Sequence, residues 1–250
     1  MYDDDLSLLE LEEELADPLD TLVALQEGNA KPDPEQMLSW LQSRDGQQRL
    51  EAARAFCDLQ DNRAVKYLIP LLREACPLTR VSAAYALGRN PSPEAMDPLI
   101  ERLGGDWNGF VRKAAAWALG NYPDRKVLQP LLEALKTDIA AVRLWAASSL
   151  GNTAVVDYEA IIDAIPRLIE ALRRDPVAVV RSNCAWSLGR LIRELPSNVV
   201  YATVIDGLVE AMVEDDDMGV REDAKEALLK VGDPRALQMI EELRQEGLVW

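Results

Sequence analysis

The sequence predicts an all-α fold, a right-handed solenoid of about six stacked helix pairs. Two observations carry this. The first is an arginine-led phrase of small residues. It occurs as RLEAARAFCDL from Arg49, RVSAAYALG from Arg80, RKAAAWALG from Arg112, RLWAASSLG from Arg143, RSNCAWSLG from Arg181 and REDAKEALL from Arg221, at spacings of 31, 32, 31, 38 and 40 residues. The second is the kind of segment between the copies: AVKYLIPLLREA, EAMDPLIERL, KVLQPLLEAL, IIDAIPRLIEAL and TVIDGLVEAMV, rich in leucine and isoleucine at helical spacing. Each unit therefore reads as a first helix (A), a short turn and a second helix (B). One such pair cannot bury its apolar stripe alone, and stacking the pairs gives a continuous core.

In chain order, residues 1–17 read as an acidic N-terminal arm. Residues 18–32, opening PLDTLVALQEG, read as a capping helix and linker. The repeats occupy residues 33–246, and residues 247–250 are a C-terminal tail. Four A segments carry a proline (Pro70, Pro98, Pro130, Pro166), which predicts that helix A bends or starts there. Asp106, Asp138, Asp175 and Asp215 precede the repeated arginines by five or six residues and are expected to cap helix B. Gly88, Gly120, Gly151 and Gly189 follow the arginines by eight and suit helix C-caps. The arginines themselves are expected to form a ladder with the aspartates of their own or a neighbouring repeat. The two longest spacings imply extended helices or loops at 152–160 and 191–201.

On a helical wheel starting at the arginine, the preceding Val and positions +3, +4 and +7 form the core stripe, while +2, +5 and +9 fall opposite. Four consecutive B helices thus point a ring away from the core: Tyr85, Trp117, Trp145 and Trp186. Arg89, Asn121, Asn152 and Arg190 accompany them at +9. These eight residues are the candidate binding groove, expected on the concave side, which helix B lines in solenoids of this type. The competing reading is that the rings wedge repeat against repeat.

The phrase V-R-x-x-A-A-x-A-L-G, seen at Val111–Gly120, resembles the HEAT-like repeats of the phycobilisome-lyase type over about residues 33–246. The first and last copies depart from it. Cys57 and Leu229 stand at the glycine position, and Lys225 replaces the second alanine.

Composition excludes several functions. The chain contains no histidine, which removes His-based acid–base chemistry, Ser-His-Asp and Cys-His nucleophiles and His-ligated zinc. Cys57, Cys76 and Cys184 are an odd, widely spaced set and read as structural thiols. No glycine-rich phosphate loop or calcium loop is legible, and no metal site is expected. Residues 1–30 hold ten acids and no Lys or Arg, and residues 31–250 hold 33 acids and 27 bases. That balance argues against nucleic acid and anionic membrane surfaces. No long apolar run or basic leader is present, so a cytoplasmic protein is expected without membrane insertion.

The function expected is a non-catalytic protein–protein interaction scaffold. A protein segment would lie in the groove, and the acidic arm would engage a basic patch or cover it. The resemblance implies work in phycobilisome or cofactor assembly in cyanobacteria, with a phycobiliprotein or an assembly factor as partner. It also implies an alternative: a bilin lyase or isomerase subunit acting on phycobiliproteins. There, phycocyanobilin would stack on the rings and place its propionates on Arg89 and Arg190. An accessory role in iron–sulfur assembly is a third possibility.

Overall fold

The computed structural model describes residues 32–245. The arm over 1–17, nearly all of the capping segment over 18–32 and the tail at 247–250 lie outside the described residues. Among the described residues the regular structure is entirely helical. A and B helices alternate: α1 (Pro34–Trp40) and α2 (Gly46–Ala55), α3 (Val65–Leu71) and α4 (Pro77–Arg89), α5 (Pro93–Gly105) and α6 (Gly109–Leu119), α7 (Leu128–Thr137) and α8 (Ala140–Thr153), α9 (Tyr158–Arg174) and α10 (Ala178–Leu191), α11 (Val199–Glu214) and α12 (Met218–Val231), then a last A helix, α13 (Pro234–Gln245). This is the all-α repeat architecture that the phrase spacing predicts. The two long spacings are filled by short 3-10 turns, Ala154–Val156 and Ile192–Glu194, and by longer A helices.

The chain forms two compact units. One ends at Tyr122 and takes in Asp138–Val142; the other comprises Pro123–Thr137 and the chain from Arg143 onward. In the first unit, α4 packs on α2 and α6, and each B helix packs on its A helix. In the second, α10 packs on α12, and α9 and α11 lie against them.

The predicted core stripe is buried. Val111, Ala115, Ala116 and Leu119 of α6 have no exposed surface, and neither do Cys184, Ala185 and Leu188 of α10. The wheel also needs correction. Ser82 and Ala114 at +2 are buried, as are Ala86, Ala118, Ser149, Ser187 and Ala227 at +6. A B helix is covered on its flanks as well, because the B helices of neighbouring repeats touch one another. Small residues let those backbones approach.

The repeated glycines serve the same approach. Only Gly120 is a C-cap; Gly88, Gly151 and Gly189 lie inside their helices. A Cβ at Gly88 would meet Trp117 Cζ3 at 2.5 Å and the Ala118 backbone at 2.9 Å. At Gly151 it would meet Ser187 Oγ at 2.7 Å, and at Gly189 the Ala227 Cβ at 2.7 Å. The +8 glycine of one repeat thus receives the +6 residue of the next. The single described glycine with positive φ is Gly232 (73°), which ends α12 in the left-handed conformation.

Of the bend or start expected at each proline, a start is met at one of the four. Pro130 falls in the first turn of α7, whereas Pro70, Pro98 and Pro166 lie inside continuous helices. Each removes one N–H donor without ending the helix.

Candidate functional site

The repeated arginines form the expected ladder, and it has a direction. Four of the six, Arg80, Arg112, Arg143 and Arg181, reach forward to the aspartate of the next repeat. In the first unit, Arg80 donates from Nε and Nη2 to Asp106 at 2.8 Å each, and Arg112 from Nη2 to Asp138 at 2.6 Å. In the second, Arg143 Nε reaches Asp175 at 2.7 Å, and Arg181 Nη2 reaches Asp215 at 2.7 Å. The remaining arginine donors hold the end of their own A helix: Arg80 Nη1 binds the Glu74 carbonyl, Arg112 Nη1 that of Asp106 and Arg181 Nη1 that of Asp175. One guanidinium therefore stitches two repeats. The first copy differs, pairing Arg49 with Glu74 at 2.8 Å.

Asp106, Asp175 and Asp215 do not cap helix B. They end the preceding A helices and accept the backbone N–H two residues on. The caps of α6 and α12 are Asn108 and Asp217. Burial raises the Asp106 carboxyl's pKa, but the Arg80 hydrogen bonds and the Asn108 N–H outweigh it, and the group sits below the usual carboxylate range. Asp215 is held low in the same way by Arg181. At the opposite end of the B helices in the first unit, Asn90 donates to the carbonyls of Phe56 and Leu59, and the Tyr122 hydroxyl to that of Leu87. Burial pushes the Tyr122 phenol up to about 12.

With the ladder and the stripe occupied by packing, what remains outward on the B helices is the aromatic row and its +9 neighbours. In the first unit Tyr85 and Trp117 are half-buried, with ring centroids 5.1 Å apart and a tilt of 58°. The Arg89 guanidinium lies 5.5 Å above the Trp117 ring. Arg89 and Asn121 are exposed and line an open cleft of about 610 Å³ with Gln60, Asn62, Gly88, Asn90 and Pro91. Substantial exposure was expected of Trp117; instead much of its ring fills the space over Gly88.

In the second unit Trp186 is exposed at 41%, and Arg190, one turn on, lies 5.7 Å over its ring. Both line a cleft of about 280 Å³ with Gly189, Arg193, Asp223, Glu226, Ala227 and Lys230. Trp145 and Asn152 are half-buried and line neither cleft. Sequence reading missed Gln60, Asn62 and Arg193, which lie outside the +5 and +9 positions, and Lys230, which is at +9 of the sixth copy, beyond the four consecutive helices with rings. It also missed Trp107, which is 75% exposed on the turn before α6 with Arg80 beneath it at 5.6 Å.

The cysteines are separate. Cys184 is buried, and burial pushes its thiol up. Cys57 is half-buried in the turn after α2. Cys76 is exposed at the start of α4, where the Thr79 backbone N–H lowers its pKa. Among the described residues no group of three or more Cys, Asp or Glu is placed to hold a metal ion. No helix of the described residues is long and apolar enough to cross a membrane.

Helix pairs stacked through an arginine–aspartate ladder define a helical-repeat protein. The chain belongs to the HEAT-repeat family, whose model matches residues 34–120, 97–189 and 165–249. No curated protein matches it. Among solved structures it is similar to an engineered protein at 26% identity, covering 80% of this chain and 98% of that one, with a TM-score of 0.59. A designed armadillo repeat protein in complex with the peptide (KR)4 is 20% identical, covers 80% and 100%, and has a TM-score of 0.61. The complex of CpcE and CpcF of phycocyanin lyase from Nostoc sp. PCC7120 is 20% identical, covers 87% and 97%, and has a TM-score of 0.56. Identities of 20% establish likeness of fold alone.

Proposed function

We propose that this chain is a non-catalytic interaction scaffold whose B-helix face receives a protein segment, in phycobilisome or cofactor assembly. The observation that carries the reading is the Trp186–Arg190 pair. An indole 41% exposed, with a guanidinium over its face and a cleft beside it, is the kind of aromatic anchor on which interfaces concentrate their binding energy. The repeated arginines, aspartates and glycines, by contrast, are taken up by contacts between repeats. The test is a pull-down from a cyanobacterial lysate with wild type and with Trp186→Ala. A partner captured by the first and lost from the second, when both melt alike, supports the scaffold. Equal capture means that this face is not where the partner sits.

A second reading rests on the same pairs. A flat anionic tetrapyrrole matches a tryptophan face beside an arginine, at Arg89 and Trp117 or at Arg190 and Trp186. Phycocyanobilin added to the purified protein separates the two. A red-shifted bound absorbance favours chromophore handling, and an unchanged spectrum leaves the scaffold.

A further inference from the structure

The Trp186 cleft of the second unit has two walls of different charge. One wall is α10 and the 3-10 turn Ile192–Glu194 that lengthens this repeat; it supplies Trp186, Arg190 and Arg193. The other is α12, which supplies Asp223, Glu226 and Lys230. These three are the +2, +5 and +9 positions of the sixth copy, so charges stand where earlier copies carry their rings.

The charges do not neutralise one another across the gap. The ion pair inside the cleft, Lys230 to Glu226 at 2.7 Å, runs along α12. Arg190 and Arg193 are exposed, and Arg190 lies 5.7 Å over the Trp186 ring. Among the described residues neither pairs with a carboxylate, and half-buried Asp223 pairs with no cation. In the same unit Arg143 and Arg181 give their donors to Asp175 and Asp215. The cleft therefore keeps two guanidiniums open on one wall, a carboxylate open on the other and an indole beside the guanidiniums. A ligand that brings the opposite charges in the matching order gains charge-assisted hydrogen bonds on both walls, and one of the wrong order meets repulsion on both. Neighbouring helices stand roughly 8–10 Å apart, which an extended chain spans in about three residues at about 3.3 Å each.

We infer that the protein segment received here carries a carboxylate and a cation about three residues apart, on either side of an apolar side chain. The carboxylate sits on Arg190 and Arg193, the apolar side chain against Trp186 and the cation on Asp223. This rests on the scaffold reading and adds the chemistry of the partner to it.

The test is selection of random short peptides displayed on phage, with the full chain as bait. Peptides retained by wild type and lost by Trp186→Ala are those seated in this cleft. They are expected to share an acidic and a basic residue flanking an apolar one. Arg193→Glu and Asp223→Lys should each weaken such a peptide about ten-fold. Replacing the peptide's basic residue by Glu should restore its binding to Asp223→Lys. The same exchange at Asp206, exposed on α11, should restore nothing, because it changes the net charge equally but away from the cleft. Two results overturn the inference and leave the scaffold standing: Trp186-dependent peptides that lack the charge pair, or an affinity indifferent to both reversals in variants that melt like wild type. Peptides that Trp186→Ala retains as well as wild type does overturn both.

Discussion

Trp117 and Trp186 sit at the same position of the same repeated phrase, yet they live differently. In the first unit the preceding B helix offers Tyr85 at that position, and Trp117 leans on it at 5.1 Å and fills the space over Gly88. In the second unit the preceding B helix offers Ser148, and Trp186 is left 41% exposed under Arg190. One residue type in one register is largely packing in one place and largely surface in the other. What decides it is the neighbour one repeat earlier, not the helix that carries the ring.

The ladder gives the largest test of that dependence on neighbours. Arg80 and Asp106 are 5% and 1% exposed, and Arg181 and Asp215 are 10% and 7% exposed. Asp106→Ala leaves a buried guanidinium unpaired and should cost about 3–5 kcal/mol in a denaturant melt. Asp215→Ala should cost less, because Asp216 also contacts Arg181, at 2.5 Å. Breaking the exposed pair Arg125–Asp157, at 48% and 44%, should leave the melt nearly unchanged, because solvent screens it.

Overpacking comes next. Gly88→Ala drives a methyl into Trp117 and the Ala118 backbone, and a loss of roughly 1–3 kcal/mol is expected. Ala115→Leu, at a site with no exposed surface, should lose a similar amount. A melt unchanged in either variant would show that the repeats tolerate looser contact than the glycines indicate.

Truncating the rings should separate the two units. Trp117→Ala removes a tilted ring pair and a half-buried indole, for a loss of about 2 kcal/mol. Trp186→Ala should lose less than about 1 kcal/mol. Equal losses would erase the contrast between them.

Acid should act through the ladder. The Asp106 and Asp215 pKa values are depressed in the fold. The stability they contribute is therefore complete above the unfolded value of about 4 and is lost as pH falls through the folded values. Melting temperature should decline below about pH 4, and the decline should be shallower in Asp106→Ala.

The repeat phrase made the fold legible, because six copies in register can be seen without any partner. The arginine–aspartate ladder was legible for the same reason. The roles of Gly88, Gly151 and Gly189 were not. A helical wheel reports which side of one helix is apolar, and glycine or serine pressed against the next B helix carries no apolar signal. The burial of Ser82 and Ala114 escaped the wheel in the same way. For the candidate site, the wheel placed Trp186 and Arg190 on an outward face, where the structure has them. It could not foresee that Tyr85 would shelter Trp117, since that contact belongs to two repeats at once.

The central claim is that Trp186 is held outward for a partner rather than for packing. The measurement is the affinity of the partner identified by pull-down for Trp186→Ala, alongside its thermal melt. Binding should weaken by about 2 kcal/mol, roughly 30-fold, with the melting temperature nearly unchanged. Unaltered binding with a melt lowered as far as that of Trp117→Ala would contradict it.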